Sequence, residues 1–266
     1  MSGGLGRVLA IAGSDSGGGA GVQADIKTIT ALGGYAASAI TAVTVQDTHG
    51  VSAIHPIPPP IIAAQIRAVL ADIGADAIKT GMLGEADAVE AVLGALAEFP
   101  DIPLVVDPVM IAKGGASLIG DGALAPLRRL IARADLVTPN APEAAVLTGL
   151  AIATTDDLRR AGEALLTGGV RAVLMKGGHI AGDSVIDILM TPNGETTLEG
   201  PRIATRHTHG TGCTLASACA TGLAQGRGLN EAVARAWAYV AEAIRRAPGF
   251  GAGAGPLDHA WPVRDR

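Results

Sequence analysis

Short apolar runs alternate with longer stretches whose apolar positions recur at helical spacing, almost from end to end of the chain. Residues 8–12 predict a buried strand, followed by a glycine-rich turn and a helix over 19–32. Residues 36–46 are rich in β-branched side chains and predict an extended segment that 51–57 can pair with across the turn 47–50. Residues 58–73 open with prolines that suit a helix's first turn. Strands over 77–80, 104–107, 136–138 and 172–176 then alternate with helices over 85–98, 122–134, 141–147 and 156–166. Residues 184–191 and 195–199 predict a hairpin about Pro192-Asn193-Gly194, and helices over 212–224 and 230–245 follow. This order predicts an α/β fold: a mostly parallel central sheet covered by helices on both faces. No composition shift, low-complexity linker or internal repeat divides it, so a single domain over 1–266 is expected.

Composition narrows the picture. With 48% hydrophobic and 17% charged residues the chain can fill a sizeable core and is not a disordered segment. The core must be aliphatic, because aromatics make up only 2%, and 37 glycines allow close backbone approaches. A formal charge of −5 argues against a nucleic-acid or anionic-membrane partner but not against small anions in a local pocket. Two cysteines, Cys213 and Cys219, cannot staple a secreted fold. The first apolar run is too short for a secretory signal, and nowhere do ~20 apolar residues run together, so a cytoplasmic protein is expected.

Functional groups of such sheets gather at the carboxyl ends of the strands. Here those ends read Gly13-Ser14-Asp15-Ser16-Gly17-Gly18-Gly19-Ala20-Gly21, Gln46-Asp47, Lys79-Thr80-Gly81-Met82, Asp107-Pro108-Val109-Met110, Thr138-Pro139-Asn140 and Lys176-Gly177-Gly178. The first run also fits a loose dinucleotide fingerprint, with Asp47 ending the next extended segment. A P-loop is excluded, because no lysine stands in the required frame. The sharpest segment is Thr208-His209-Gly210-Thr211-Gly212-Cys213 before a small-residue helix. Glycines at a helix start leave amide groups open to an anion, which favours charge developing on a transferred phosphoryl group. Cys213 in that first turn is expected to have a lowered thiol pKa, whereas Cys219 reads as a small packing residue.

Taken in order, these blocks resemble the hydroxymethylpyrimidine/phosphomethylpyrimidine kinases of thiamin biosynthesis, within the ribokinase-like superfamily. The resemblance also rests on Gly18 through Thr28, Thr41 through Gln46, Asn140-Ala141-Pro142-Glu143-Ala144 and Met175-Lys176-Gly177-Gly178-His179, and covers residues 7–261. It decides against the dinucleotide reading and implies a three-layer αβα sandwich with a small β lid at its edge. It implies phosphorylation of 4-amino-5-hydroxymethyl-2-methylpyrimidine and of its monophosphate, with ATP as co-substrate and Mg²⁺. Cys213 matches the general base, and Gly210, Thr211 and Gly212 match the anion hole. Gln46 matches the residue that reads the aminopyrimidine; Gly13, Ala20, Asp25, Thr44, Met82 and Val109 match the rest of that pocket. Lys176, Thr208, Gly210 and Gly212 match the nucleotide side, and Asp107, Asn140 and Glu143 match the groups that manage Mg²⁺. Gly17 and His49 depart from the pattern, near the pocket and its lid. The resemblance further implies a homodimer. With the chain ending at Arg266, no fused thiamin-phosphate synthase domain is expected. The rival readings are a pyridoxal or pyridoxine kinase on the same scaffold and a non-catalytic pyrimidine-binding protein.

Overall fold

The structure is a computed structural model, and it describes residues 5–111, 118–120 and 122–265. One nine-stranded sheet runs through it in the order β3-β2-β1-β4-β5-β6-β7-β8-β9. Its strands are β1 (Arg7–Asp15), β2 (Tyr35–Gln46), β3 (Val51–Pro56), β4 (Ala77–Thr80), β5 (Leu104–Val106), β6 (Leu136–Val137), β7 (Val173–Met175), β8 (Ser184–Thr191) and β9 (Gly194–Pro201). From β2 through β7 every neighbouring pair is parallel. β3 at one edge and β8 and β9 at the other are antiparallel.

Helices cover both faces. On one lie α2 (Pro59–Asp72), α3 (Ala86–Leu96), α4 (Leu124–Arg133), α5 (Ala141–Thr148) and α6 (Thr155–Thr167), packed on Leu9, Ile11, Ile78, Val106 and Val137. On the other lie α1 (Gly21–Ala31), α7 (Thr211–Ala224) and α8 (Leu229–Arg245), packed on Val8, Ala10, Ala77, Val105 and Leu136. The alternation within Val8–Ile11 between the two cores is the period-two pleat of a strand buried on both faces. Among the described residues no helix is long and apolar enough to cross a membrane.

Two boundaries differ from the sequence expectation for a reason that bears on the site. The first helix starts at Gly21, not residue 19, because the amides of Gly19 and Ala20 are taken by the Asp15 carboxylate instead of entering a helical turn. The helix after the Gly210 turn starts at Thr211, since Gly210 takes a left-handed conformation with φ of 82° as its N-cap. A short helix α9 (Trp261–Arg264) has no counterpart in the predicted elements; four residues are too few to show a period.

Candidate active site

The carboxyl ends of β2, β1, β4 and β5 are adjacent in the sheet, so the loops that follow them meet. Gly13 is within β1, and a Cβ on it would come within 2.4 Å of Met82 Cε, which follows β4. Ala20 caps α1, Thr44 and Gln46 end β2, and Val109 follows β5. Gln46 has one end of its amide 3.2 Å from Thr44 Oγ1 and the other 3.1 Å from His209 Nε2. His209 Nε2 is also 2.9 Å from Asp15 Oδ2. The glycines between them are required by contact: a Cβ on Gly19 would lie 2.5 Å from His209 Cδ2, and one on Gly210 would lie 1.8 Å from the Gly19 carbonyl oxygen. The first glycine loop and the His209–Gly212 turn are therefore pressed together although they lie at opposite ends of the chain.

At the next strand ends the chemistry changes from amide to charge. A Cβ on Gly212 would meet Lys176 Nζ at 3.1 Å and Asp107 Oδ2 at 3.4 Å, so the absent side chain leaves a cradle flanked by a cation and a carboxylate at the start of α7. Lys176 Nζ donates to Asp107 Oδ1 at 2.9 Å and lies 3.9 Å from Glu143 Oε2. Thr138 Oγ1 also donates to Asp107 Oδ1. Asn140 and Glu143 form the capping box of α5: the Asn140 side chain accepts from the Glu143 amide and Glu143 Oε2 accepts from the Asn140 amide. Burial, together with nearby Asp107 and against the pull of Lys176, pushes the Glu143 carboxyl up to about 7. No cluster of three or more acidic, His or Cys groups arranged around a metal occurs among the described residues. A donor set of one or two carboxylates beside a phosphate cradle nonetheless fits Mg²⁺, which keeps several waters and is completed by substrate phosphates. Asp107 and Glu143 would hold it through lone pairs left over from Lys176, Thr138 and the Asn140 amide, with Asn140 Oδ1, which accepts the Glu143 amide, beside them. Thr208 lies in the turn before α7, where its carbonyl accepts from Thr211 Oγ1.

Cys213 sits in the first turn of α7 and is partly exposed. Its thiol does not have the lowered pKa expected from that position. Burial pushes it up to about 11, with Asp25 and Asp107 adding to the rise and outweighing Lys79 and the Gly21 amide, which faces the sulfur. Taking the sulfur out of water costs the thiolate more than the partial charge of a helix terminus returns. Asp25 faces Lys79 and Ser217. It is wholly buried, with Lys79 Nζ at 2.8 Å and 2.9 Å from its two oxygens and Ser217 Oγ donating to Oδ1 at 2.7 Å. Lys79 is also wholly buried; burial alone would lower its pKa, but Asp25 and the other anions around it hold it above its ordinary value.

Asp15, His209, Lys79 and Ser217 carry much of this geometry without having been singled out for it. Asp15, His209 and Lys79 all lie within the quoted motifs, yet a sequence does not show which partner each will meet. Ser217 lay one helical turn beyond Cys213, on the face that α1 covers, and that spacing was the available signal.

The family model described as phosphomethylpyrimidine kinase matches residues 15–258, nearly the whole of this site. The chain belongs to that family. A hydroxymethylpyrimidine/phosphomethylpyrimidine kinase of Streptomyces coelicolor is 50% identical over 96% of this chain and 95% of its own length. A bifunctional thiamine biosynthesis protein of Geobacter sulfurreducens is 53% identical over 98% of this chain, which spans only 54% of that relative. Among solved structures, an ADP complex of a Bacillus subtilis pyridoxal kinase superposes with a TM-score of 0.91 at 33% identity, covering 98% of this chain and 100% of that one. The phosphomethylpyrimidine kinase fold is thus shared with kinases of a second vitamin.

Proposed function

We propose that this member of the family transfers the γ-phosphoryl group of ATP to the hydroxyl of 4-amino-5-hydroxymethyl-2-methylpyrimidine, and then phosphorylates the monophosphate. The observation that carries this reading is the cradle at Gly212, set between Lys176 and Asp107 at the N-terminus of α7, with the Gln46 amide joined to the same turn through His209. A phosphate-holding end and an end that can pair with an aminopyrimidine thus meet at the His209–Gly212 turn, next to Cys213 in the chain. Mg²⁺, held by Asp107 and Glu143 with phosphate oxygens, would neutralise charge on the transferred group. The amides of Gly210 and Gly212 would face the γ-phosphate, with that of Thr211, which meets the Thr208 carbonyl at 3.4 Å, turning to join them; Lys176 would pair with the phosphate, and Thr208 supports the turn. Gly13, Ala20, Thr44, Met82 and Val109 surround the ring, while Asp25 acts through Lys79. The substrate oxygen forms its bond to phosphorus as the bond to ADP breaks, and its proton passes to Cys213 Sγ. With the thiol at about 11, only its thiolate fraction is competent at neutral pH, and the rate should follow that fraction upward.

A pyridoxal kinase is the second reading, supported by the likeness to the Bacillus subtilis enzyme. The higher identity to the pyrimidine kinase over nearly equal coverage favours the first. We further propose a cytoplasmic homodimer of single kinase domains. Val43 and Val45 are exposed on the face of β2 opposite Thr44 and Gln46, at the β2–β3 edge, where a second copy would cover them. Product analysis with ATP, Mg²⁺ and the hydroxymethylpyrimidine, beside pyridoxal, tests the activity. Mono- and diphosphate of the pyrimidine are expected; phosphorylation of pyridoxal alone would reverse the order of the readings, and no ATP consumption with either would leave a binding protein.

A further inference from the structure

The nitrogen and oxygen of a glutamine amide are alike in shape, so which way the amide points follows from the protons around it. Two independent counts fix this for Gln46. Asp15 accepts the Gly17 amide on Oδ1 and the Gly19 and Ala20 amides on Oδ2, which makes it an acceptor-only carboxylate. His209 Nε2, 2.9 Å from Oδ2, must therefore carry a proton. That one proton is shared, in a three-centre bond, between Asp15 Oδ2 and the amide atom 3.1 Å from Nε2, so this atom has to be an acceptor; a second N–H there would set proton against proton. Thr44 supplies the other count. Its hydroxyl proton has the Ser14 carbonyl at 3.0 Å, the shorter of its two contacts, which leaves the hydroxyl oxygen free to accept from the amide atom 3.2 Å away. Both counts place Gln46 Oε1 on His209 and Gln46 Nε2 on Thr44, rather than nitrogen against nitrogen.

We propose that His209, held by Asp15, is a specificity-determining positioning residue that pins the Gln46 amide in one of its two orientations. The inference rests on the reading that Gln46 faces the pyrimidine. One lone pair of Oε1 and one proton of Nε2 remain for a ligand. For a ring held in place by the rest of the pocket, that pair matches a ring-nitrogen acceptor beside an exocyclic amine donor. A 4-oxo pyrimidine presents the reverse, a ring N–H beside a carbonyl oxygen. An amide free to rotate by 180° reads either pattern; a pinned amide reads one, and leaves buried polar groups unpaired against the other. The packing explains why the pin holds: the His209 ring fills the space where a Gly19 side chain would stand, so the imidazole cannot swing away toward the glycine loop.

The test is the ratio of kcat/KM for 4-amino-5-hydroxymethyl-2-methylpyrimidine to that for its 4-oxo analogue. It is measured on the wild type and on His209→Leu, His209→Asn and His209→Gln. Leucine removes the donor, asparagine is too short to reach Gln46, and glutamine can return an N–H near the position of Nε2. Leu and Asn variants should each lower the ratio by about tenfold or more, through KM for the pyrimidines and not KM for ATP, and Gln should restore part of it. The Asn variant keeps a polar side chain and serves if the Leu variant does not fold. If the variants lose activity on both pyrimidines alike, so that the ratio stands at its wild-type value, His209 is only structural and the proposal is overturned. If the wild type phosphorylates neither pyrimidine, the reading of Gln46 falls first and takes the proposal with it; the two failures are therefore distinct.

Discussion

Lys79 and Asp25 form an ion pair with no exposed surface, joined at 2.8 Å and 2.9 Å; burial pushes the Asp25 carboxyl up while Lys79 and Ser217 pull it back. Removing one partner leaves the other uncompensated, which typically costs about 3–5 kcal/mol. Lys79→Met should therefore lower unfolding free energy by about that much in urea titration, and Asp25→Leu added to it should recover a large part. If the double variant is no more stable than the single one, the loss is one of packing and not of charge. Cys213 is the second residue whose surroundings make a measurable claim. Cys213→Ser should reduce kcat by ~10²–10⁴-fold with pyrimidine and ATP still bound, and Cys219→Ser should not. Because the Cys213 thiol is raised to about 11, its thiolate grows with pH, so wild-type kcat and the rate of alkylation by iodoacetamide should both climb between pH 6.5 and 9. A kcat flat across that interval would remove a high-pKa thiol from the rate-determining proton transfer.

At the scale of elements, the site depends on how two helices begin. α5 is started by the reciprocal Asn140–Glu143 box, with Pro142 inside the first turn and Gly149 ending the helix in a left-handed conformation with φ of 76°. Asn140→Ala removes one of those bonds and should cost about 1 kcal/mol, read as a lower midpoint of thermal unfolding. The expected loss is larger for activity than for stability, because the same box holds the Glu143 carboxylate toward Lys176. α7 begins differently, on Gly210 with no side-chain cap. Gly210→Ala meets two penalties: about 1–2 kcal/mol for the left-handed conformation and a Cβ 1.8 Å from the Gly19 carbonyl oxygen, which no side-chain rotation relieves. Calorimetric titration should show weaker binding of a non-hydrolysable ATP analogue to that variant, and unaltered affinity would mean that the turn is not part of the phosphate site.

For the molecule as a whole, the β2–β3 ribbon stands at the sheet edge with its tip tied down from far along the chain. Thr48 accepts Ala254 N–H on its carbonyl at 2.8 Å and Gly253 N–H on its hydroxyl at 3.1 Å. One face of the ribbon turns Thr44 and Gln46 inward while the other leaves Val43 and Val45 exposed. In a dimer built on that face, Val43→Lys with Val45→Lys should convert the protein to a monomer in light scattering, with its circular dichroism spectrum preserved. A wild type that is itself monomeric across a wide concentration range would end the proposal.

The order of elements, the parallel sheet and the strand ends at which polar groups gather can all be read from the amino-acid order. Each of these depends on neighbours in the chain: period-two or helical spacing, prolines at helix starts, glycines at turns. The boundary of α1 escaped it because the amides of Gly19 and Ala20 are claimed by Asp15, a competition that propensity does not record. The state of the Cys213 thiol escaped it for a stronger reason. The sequence correctly put Cys213 in a helix's first turn, but its pKa is decided first by burial and then by Lys79 from β4, Asp25 from α1 and Asp107 after β5, which come together only across the folded sheet. The same holds for Gln46, whose amide is oriented by Asp15 at the end of β1 and His209 just before α7. Coulomb and hydrogen-bond energies act over a few ångströms of space, and only the tertiary structure sets those distances.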